Sequence, residues 1–349
     1  MKKVPVYLEV REPPTLRWRI LGILIVVVCL AFTFGMWTFM ERTNDSLAAV
    51  NFDVQADRAI DVLEERLEVY GDLLYGGRGL FLQDPELTRV EWDTFMESQN
   101  LFERYPGINN IAYLEVATPA DASRIERELN QSAQLGDQLP ISLYPQPLTD
   151  RLAVVTYSTT VTDDYQVLGL NAYGREALVP ALELAAISGL PESTEAFKSR
   201  NPAREGTKDV IIFLAVYEKE ISATSTDAER IDALSGYIAL SIHPETLIKQ
   251  GLNEISSTEP VSVRVETVNG DRIYSSPEDI PGVRIEKNIS LDVSGQTWRF
   301  TFTAPDYYGL TLRERFAPGF MLIVGLIIMI GFMTSHLYAG GVRVRKRGS

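Results

Sequence analysis

Two stretches of this chain carry no Asp, Glu, Lys or Arg, residues 20–40 and residues 316–342, the second with its apolar centre at 320–338. A bilayer core about 30 Å thick needs roughly 20 helical residues at about 1.5 Å each. Both stretches are therefore predicted to be transmembrane helices. A cleaved signal peptide would have a shorter apolar core and a small-residue cleavage site, whereas residue 40 is followed by Glu41, Arg42, Thr43 and Asn44. Lys2, Lys3, Arg11, Arg17 and Arg19 precede the first span, and Arg343, Arg345, Lys346 and Arg347 follow the second. Basic residues close to a span are held on the cytoplasmic side, so both ends are placed there and residues 41–315 outside.

Between the spans, Ala56, Ile60, Leu63, Leu67, Tyr70 and Leu74 alternate in steps of four and three. Such a seam belongs either to a coiled coil with a second copy or to one amphipathic helix covering its own domain. Asp84-Pro85 ends that helix, and Thr88 with Glu91 forms a capping-box pattern for the next. Strands are predicted at 108–117, within 140–171, and at 209–217 and 234–242, with helices at 118–129, 174–188 and 243–252. Asn269-Gly270 and Ser294-Gly295-Gln296 mark two hairpins near the end. Helices first, a mixture next and hairpins last is an α+β pattern. The organisation expected is a cytoplasmic N-terminus at 1–19, a span at 20–40, a linker helix at 41–82, a sensor domain at 83–315, a span at 316–339 and a cytoplasmic tail at 340–349.

Charge narrows the partners. The 349 residues hold 33 Lys and Arg against 47 Asp and Glu, a net charge of −14; removing nine basic and two acidic residues at the ends leaves 24 against 45, or −21, for residues 41–315. Such acidity argues against nucleic acid and anionic head groups as partners of the outer segment. The single cysteine, Cys29, lies in the first span, so disulfides cannot brace the outer domain. His243 and His336 are the only histidines, and with one cysteine they form no metal cluster. No nucleophile elbow accompanies His243, and no motif with a catalytic mechanism occurs, so neither an enzymatic activity of this chain nor a cofactor is expected.

Three motifs carry more than pattern: Tyr75-Gly76-Gly77-Arg78-Gly79-Leu80-Phe81, then Thr88-Arg89-Val90-Glu91-Trp92, then Tyr105-Pro106-Gly107-Ile108-Asn109-Asn110-Ile111-Ala112-Tyr113. With Val154-Val155-Thr156-Tyr157, Leu168-Gly169-Leu170-Asn171 and Phe213-Leu214-Ala215-Val216-Tyr217, they resemble a CHASE domain, the extracytoplasmic sensor of receptor kinases and nucleotide cyclases. The resemblance implies a long N-terminal helix packed on two PAS-like α/β subdomains, the membrane-distal one holding a small-molecule pocket. It places the ligand's contacts around Thr162, Asp163 and Asp164, and around Gly189, Leu190 and Thr194. Asn171 stands where the cytokinin receptors of the family have an aspartate, and Gly-Leu-Pro replaces their glycine-lysine-glycine turn.

Read from the residues alone, Asp163-Asp164 is either a site for an amine-bearing ligand or turn chemistry. Tyr113, Tyr144 and Tyr157 are either pocket walls with polar tips or strand core. Arg78 either holds an anion or packs a helix. The expectation is a two-pass sensor in the plasma membrane, a homodimer that binds a small molecule and signals to an output domain beyond Arg347. That output would be a histidine kinase, diguanylate cyclase or phosphodiesterase, with Gly348-Ser349 as a cloning scar. The competing expectation is a module that recognises a periplasmic protein through its surface.

Overall fold

The computed structural model describes residues 16–132, 140–146, 149–160, 167–199, 206–219, 221–222, 224–253, 260–276, 280–282 and 284–339. The chain divides into two units, Val54–Ala304 and the pair of flanking segments Met1–Asp53 and Pro305–Ser349. One helix, α1 (Leu16–Gln83), runs through residues of both. Pro85, which has no N–H to donate, follows its last turn.

Within the larger unit α2 (Arg89–Ser98) opens on the predicted capping box: the Thr88 N–H donates to Glu91 Oε2 at 2.9 Å, and the Glu91 N–H returns to Thr88 Oγ1 at 3.4 Å. The short α3 (Leu101–Arg104) leads into β1 (Ile108–Ala117), α4 (Ala122–Ser132), β2 (Leu152–Thr160), α5 (Val179–Ser188), β3 (Glu192–Ser193), β4 (Phe197–Lys198), β5 (Lys208–Tyr217), α6 (Asp227–Asp232) and β6 (Leu234–Ile242). These strands form one antiparallel sheet in the order β2-β1-β6-β5-β3, with β4 also on β5. That order, with β6 at the centre flanked by β1 and β5 and with β2 at the edge beside β1, is PAS-like. After α7 (Pro244–Asn253), the strands β7 (Ser262–Thr267), β8 (Arg272–Ser275), β9 (Arg284–Val293) and β10 (Gln296–Pro305) make a second sheet, β8-β7-β10-β9. The Asn269-Gly270 turn joins β7 to β8, with Gly270 at φ +85° where a side chain would be strained.

The larger sheet is covered on both faces. On one, Ile125 and Leu129 of α4 and Leu182, Ala185 and Ala186 of α5 pack with Ala112, Leu114, Phe213 and Tyr237. On the other lies α1. A Cβ at Gly77 would stand 3.2 Å from Ile238 Cγ2, so glycine lets the helix approach the sheet closely, and Phe81 stacks on Tyr113 at 3.8 Å between ring centroids. The second sheet buries Val263, Val265, Trp298, Phe300 and Phe302 by strict alternation; each aromatic contributes about 2–3 kcal/mol of burial. Lys287 of β9 pairs with Asp57 of α1 at 2.8 Å. The heptad residues Ala56, Ile60, Leu63, Tyr70 and Leu74 are all buried and Leu67 is half-buried. The seam therefore serves the chain's own domain and is not open to a coiled coil with a twin.

The two sheets meet at one tip. The Ser193 N–H donates to Ser294 O at 2.7 Å and its hydroxyl to Val293 O at 2.5 Å, so the turn between β9 and β10 hydrogen-bonds to β3. Ser294 and Gly295 both have positive φ there, and Gly295 sits directly against the Glu192 carboxylate.

In the smaller unit, α8 (Leu312–Ala339) starts at a Thr311–Glu314 box. It runs antiparallel to α1, because the contacts pair ascending with descending numbers. Phe52 meets Tyr308 edge-on, the Asn44 amide donates to Glu314 O at 2.8 Å, Thr33 lies against Gly325, and Trp18 stacks on His336 at 4.7 Å. Both helices are long and apolar enough to cross a membrane, and Ile23, Phe32, Ile327 and Ile330 point outward, as a lipid-facing surface requires.

Candidate functional site

The α4–α5 face of the larger sheet carries a half-open chamber of about 550 Å³, lined by Tyr144, Val167, Leu170, Arg175, Ala177, Leu178, Phe197, Lys198, Ser199, Asp209, Ile211 and Ser241. A recess of about 60 Å³ shares Val167, Leu170, Leu178, Ile211 and Ser241 with it and adds Ala112, Leu114, Val155, Ala172, Phe213 and Ala239, together with Asn110. An apolar wall with a few convergent polar groups, at this volume, is the usual make-up of a small-molecule site.

Two glycines bring the chamber's loop walls together. Tyr144 bridges to Leu170 in parallel, with the Tyr144 N–H on Gly169 O at 3.0 Å and the Asn171 N–H on Tyr144 O at 2.6 Å. Gly169 has φ +81°, and a Cβ there would meet Ser142 O at 2.9 Å; one at Gly174 would meet Pro145 Cγ at 2.6 Å. Asn171, fully buried, fastens this pair of segments to β2: its Oδ1 accepts from the Ala153 N–H at 3.1 Å and its Nδ2 donates to Thr149 Oγ1 at 3.2 Å. The 3-10 turn Ala172–Gly174 then delivers Arg175 over the Tyr144 ring, with its guanidinium carbon 5.9 Å from the centroid. On the opposite wall Asp209 of β5 is buried and its Oδ1 accepts from Asn109 Nδ2 at 3.1 Å.

Of the residues the sequence singled out, Tyr144 lies in the chamber wall. Tyr113 and Tyr157 lie on the other face of the sheet, stacked on Phe81, where the Tyr157 hydroxyl donates to Leu87 O at 2.8 Å. Tyr113 faces α1 because it sits between Ala112 and Leu114, both in the recess wall. Tyr157 is less obvious, since Val155 two residues earlier lines the recess. A β-bulge explains it: Leu114 pairs with Val155 and Tyr113 with Tyr157, so Thr156 is the extra residue and the strand's faces exchange there. Burial raises the phenol pKa of both tyrosines, which keeps them neutral. Gly189 caps α5 at φ +69°, with its carbonyl 3.4 Å from Arg78 Nη1, and Leu190 is exposed. Arg78 thus holds a helix end. Thr194 is buried, its Oγ1 accepting from the Ile211 N–H at 3.1 Å. None of these three is in the chamber wall; Thr162, Asp163 and Asp164 lie outside the described residues. Arg175, Phe197, Lys198 and Asp209 were not singled out from sequence. Arg175 follows Leu168-Gly169-Leu170-Asn171 at a spacing that carries no motif, and Asp209 reads only as the start of a strand.

The sheet order is PAS-like, and the family match gives the class as a sensory domain. The family model for the CHASE domain matches residues 85–273, and the chain belongs to that family of receptor sensory domains. Two relatives are from Arabidopsis thaliana. Histidine kinase 2 is 22% identical over 271 residues, 72% of this chain and 22% of the relative, and Histidine kinase 3 is 24% identical over 293 residues, 77% and 26%. The chain thus spans about a quarter of the length of these curated relatives. Among solved structures, the periplasmic sensory domain of the Campylobacter jejuni chemoreceptor Tlp1 is similar at 8% identity and a TM-score of 0.43, covering 77% of this chain and 97% of that one.

Proposed function

We propose that the chain is the sensing and anchoring part of a two-pass plasma-membrane receptor, with residues 41–315 outside the cytoplasm and a small molecule bound in the chamber. The observation that supports this most is a chamber of ligand size on the α4–α5 face of a CHASE-domain sheet. Ligand binding draws on the wall residue Ile211, whose backbone pairs with Thr194; the next residue, Ser193, holds the β9–β10 turn. From that turn β10 leads through 305–311 into α8. A ligand that prefers one arrangement of this connection shifts the population of receptor states in proportion to its differential affinity. A homodimer, with signalling to a kinase or cyclase domain in the longer protein, is part of the same proposal.

The test uses the full chain in detergent and a metabolite panel of neutral, anionic and cationic compounds, read by thermal melting. A ligand raises the melting temperature in proportion to its occupancy. Ala177 is exposed and lines the chamber, so Ala177→Trp fills the space without crowding the core. The expected result is a ligand-dependent rise in the natural chain that disappears in Ala177→Trp while the ligand-free melting temperature is kept. A rise that survives Ala177→Trp refutes the chamber as the site.

A further inference from the structure

The charged groups of the chamber run against the charge of the chain. In a protein of net charge −14 the chamber wall carries, among the described residues, Arg175 and Lys198 against Asp209. Asp209 already has the Asn109 amide on its Oδ1. Arg175 is different: its Nε is buried without a hydrogen-bond partner, and among the described residues no carboxylate lies within ion-pair reach of its guanidinium. Its one contact of this kind is the Tyr144 ring, which holds the guanidinium plane without using its N–H groups. A buried donor left unused is unfavourable unless a ligand supplies the acceptor.

Resting on the ligand-sensor reading above, we infer that the chamber recognises a small organic carboxylate, its charge on Arg175 and its apolar body against Leu178, Phe197 and Ile211. A guanidinium presents a planar fork of N–H groups that matches the two oxygens of a carboxylate, and a charge-assisted pair of this kind is about twice as strong as a neutral hydrogen bond. The neighbouring wall is apolar and continues into the recess lined by Val155, Phe213 and Ala239, which suits a hydrocarbon or aromatic tail. Lys198 is exposed and adds attraction from the solvent side. Asp209 disfavours a second negative charge on the ligand and so selects monoanions.

The experiment compares phenylacetate and hexanoate with their uncharged amides, phenylacetamide and hexanamide, on the full chain in detergent, by thermal melting and titration calorimetry. The carboxylates are expected to raise the melting temperature and the amides not. Arg175→Gln should weaken carboxylate binding about 10- to 100-fold and Arg175→Lys less, each read against its own ligand-free melt. Amides that bind as well as carboxylates, or carboxylate binding unchanged in Arg175→Gln, overturn the inference; if Ala177→Trp then removes that binding, the sensor reading itself stands. Binding indifferent to both Arg175→Gln and Ala177→Trp overturns both. No response to either carboxylate in the natural chain overturns the anion inference.

Discussion

Asn171 ties the loop walls of the chamber to β2, and its surroundings make the substitution Asn171→Asp a test of the whole loop arrangement. The side chain is fully buried and uses one acceptor and one donor, the Ala153 N–H on Oδ1 and Thr149 Oγ1 on Nδ2. Thr149 spends its own hydroxyl proton on Arg151 O, so it can only accept from residue 171. An ionised aspartate would turn a lone pair toward that oxygen from a fully buried position. Full burial raises a carboxyl pKa by about 3 units or more, and each unit is about 1.36 kcal/mol. The Ala153 N–H offsets part of this, leaving a destabilisation of about 3–4 kcal/mol at neutral pH and a melting temperature lower by about 10 °C. The sign follows from linkage. A carboxyl whose folded pKa lies above its unfolded value of about 3.9 carries no pH-dependent penalty below that value, where both states are protonated, and the penalty grows as pH rises toward the folded pKa. The protonated acid can also donate to Thr149 as the amide does. Asn171→Ala instead leaves the Ala153 N–H unsatisfied, costing about 1–3 kcal/mol at every pH. Thermal melts of the three chains from pH 4 to neutrality separate these cases, and an Asn171→Asp deficit that is constant with pH, or below about 1 kcal/mol, refutes the assignment.

The junction of the two sheets carries its own pH dependence. Burial, with Asp292 nearby, raises the Glu192 pKa against the lowering effect of its Ser188 hydrogen bond; the folded state therefore holds the proton more tightly, and stability falls as pH rises from the ordinary carboxylate range through the raised value. Glu192→Gln should flatten that part of the profile and be the more stable chain at neutral pH, and parallel melting curves for the two chains across pH would contradict it. Tyr157→Phe removes only the bond to Leu87 O and is expected to cost about 1 kcal/mol while leaving chamber binding unchanged; a weakened ligand response in calorimetry would place Tyr157 in the chamber after all.

The elements that repeat a period were legible in the sequence, and the chamber was not, for a physical reason that can be followed residue by residue. The capping box at Thr88 and Glu91, the Asn269-Gly270 turn and the apolar strand Lys208–Tyr217 each depend on neighbours within a few positions. The heptad at 56–74 was legible as an amphipathic stripe, but what covers a stripe is a tertiary fact, and here it is the chain's own sheets. The helix expected at 174–188 begins only at Val179, because Gly174 and Arg175 are committed to a 3-10 turn against Pro145, and Pro180 is accommodated in the first turn where no N–H is needed. The tyrosines show the limit most clearly. Strand periodicity puts Val155 and Tyr157 on one face, and a single unpaired residue, Thr156, puts them on opposite faces. That bulge gives the small Val155 to the recess and the large Tyr157 to the stack with Phe81. The same residue that confounds a period-two reading therefore opens room on one face of the sheet and fills it on the other. A cavity can persist beside a tightly packed helix because the bulky side chains have been turned toward α1.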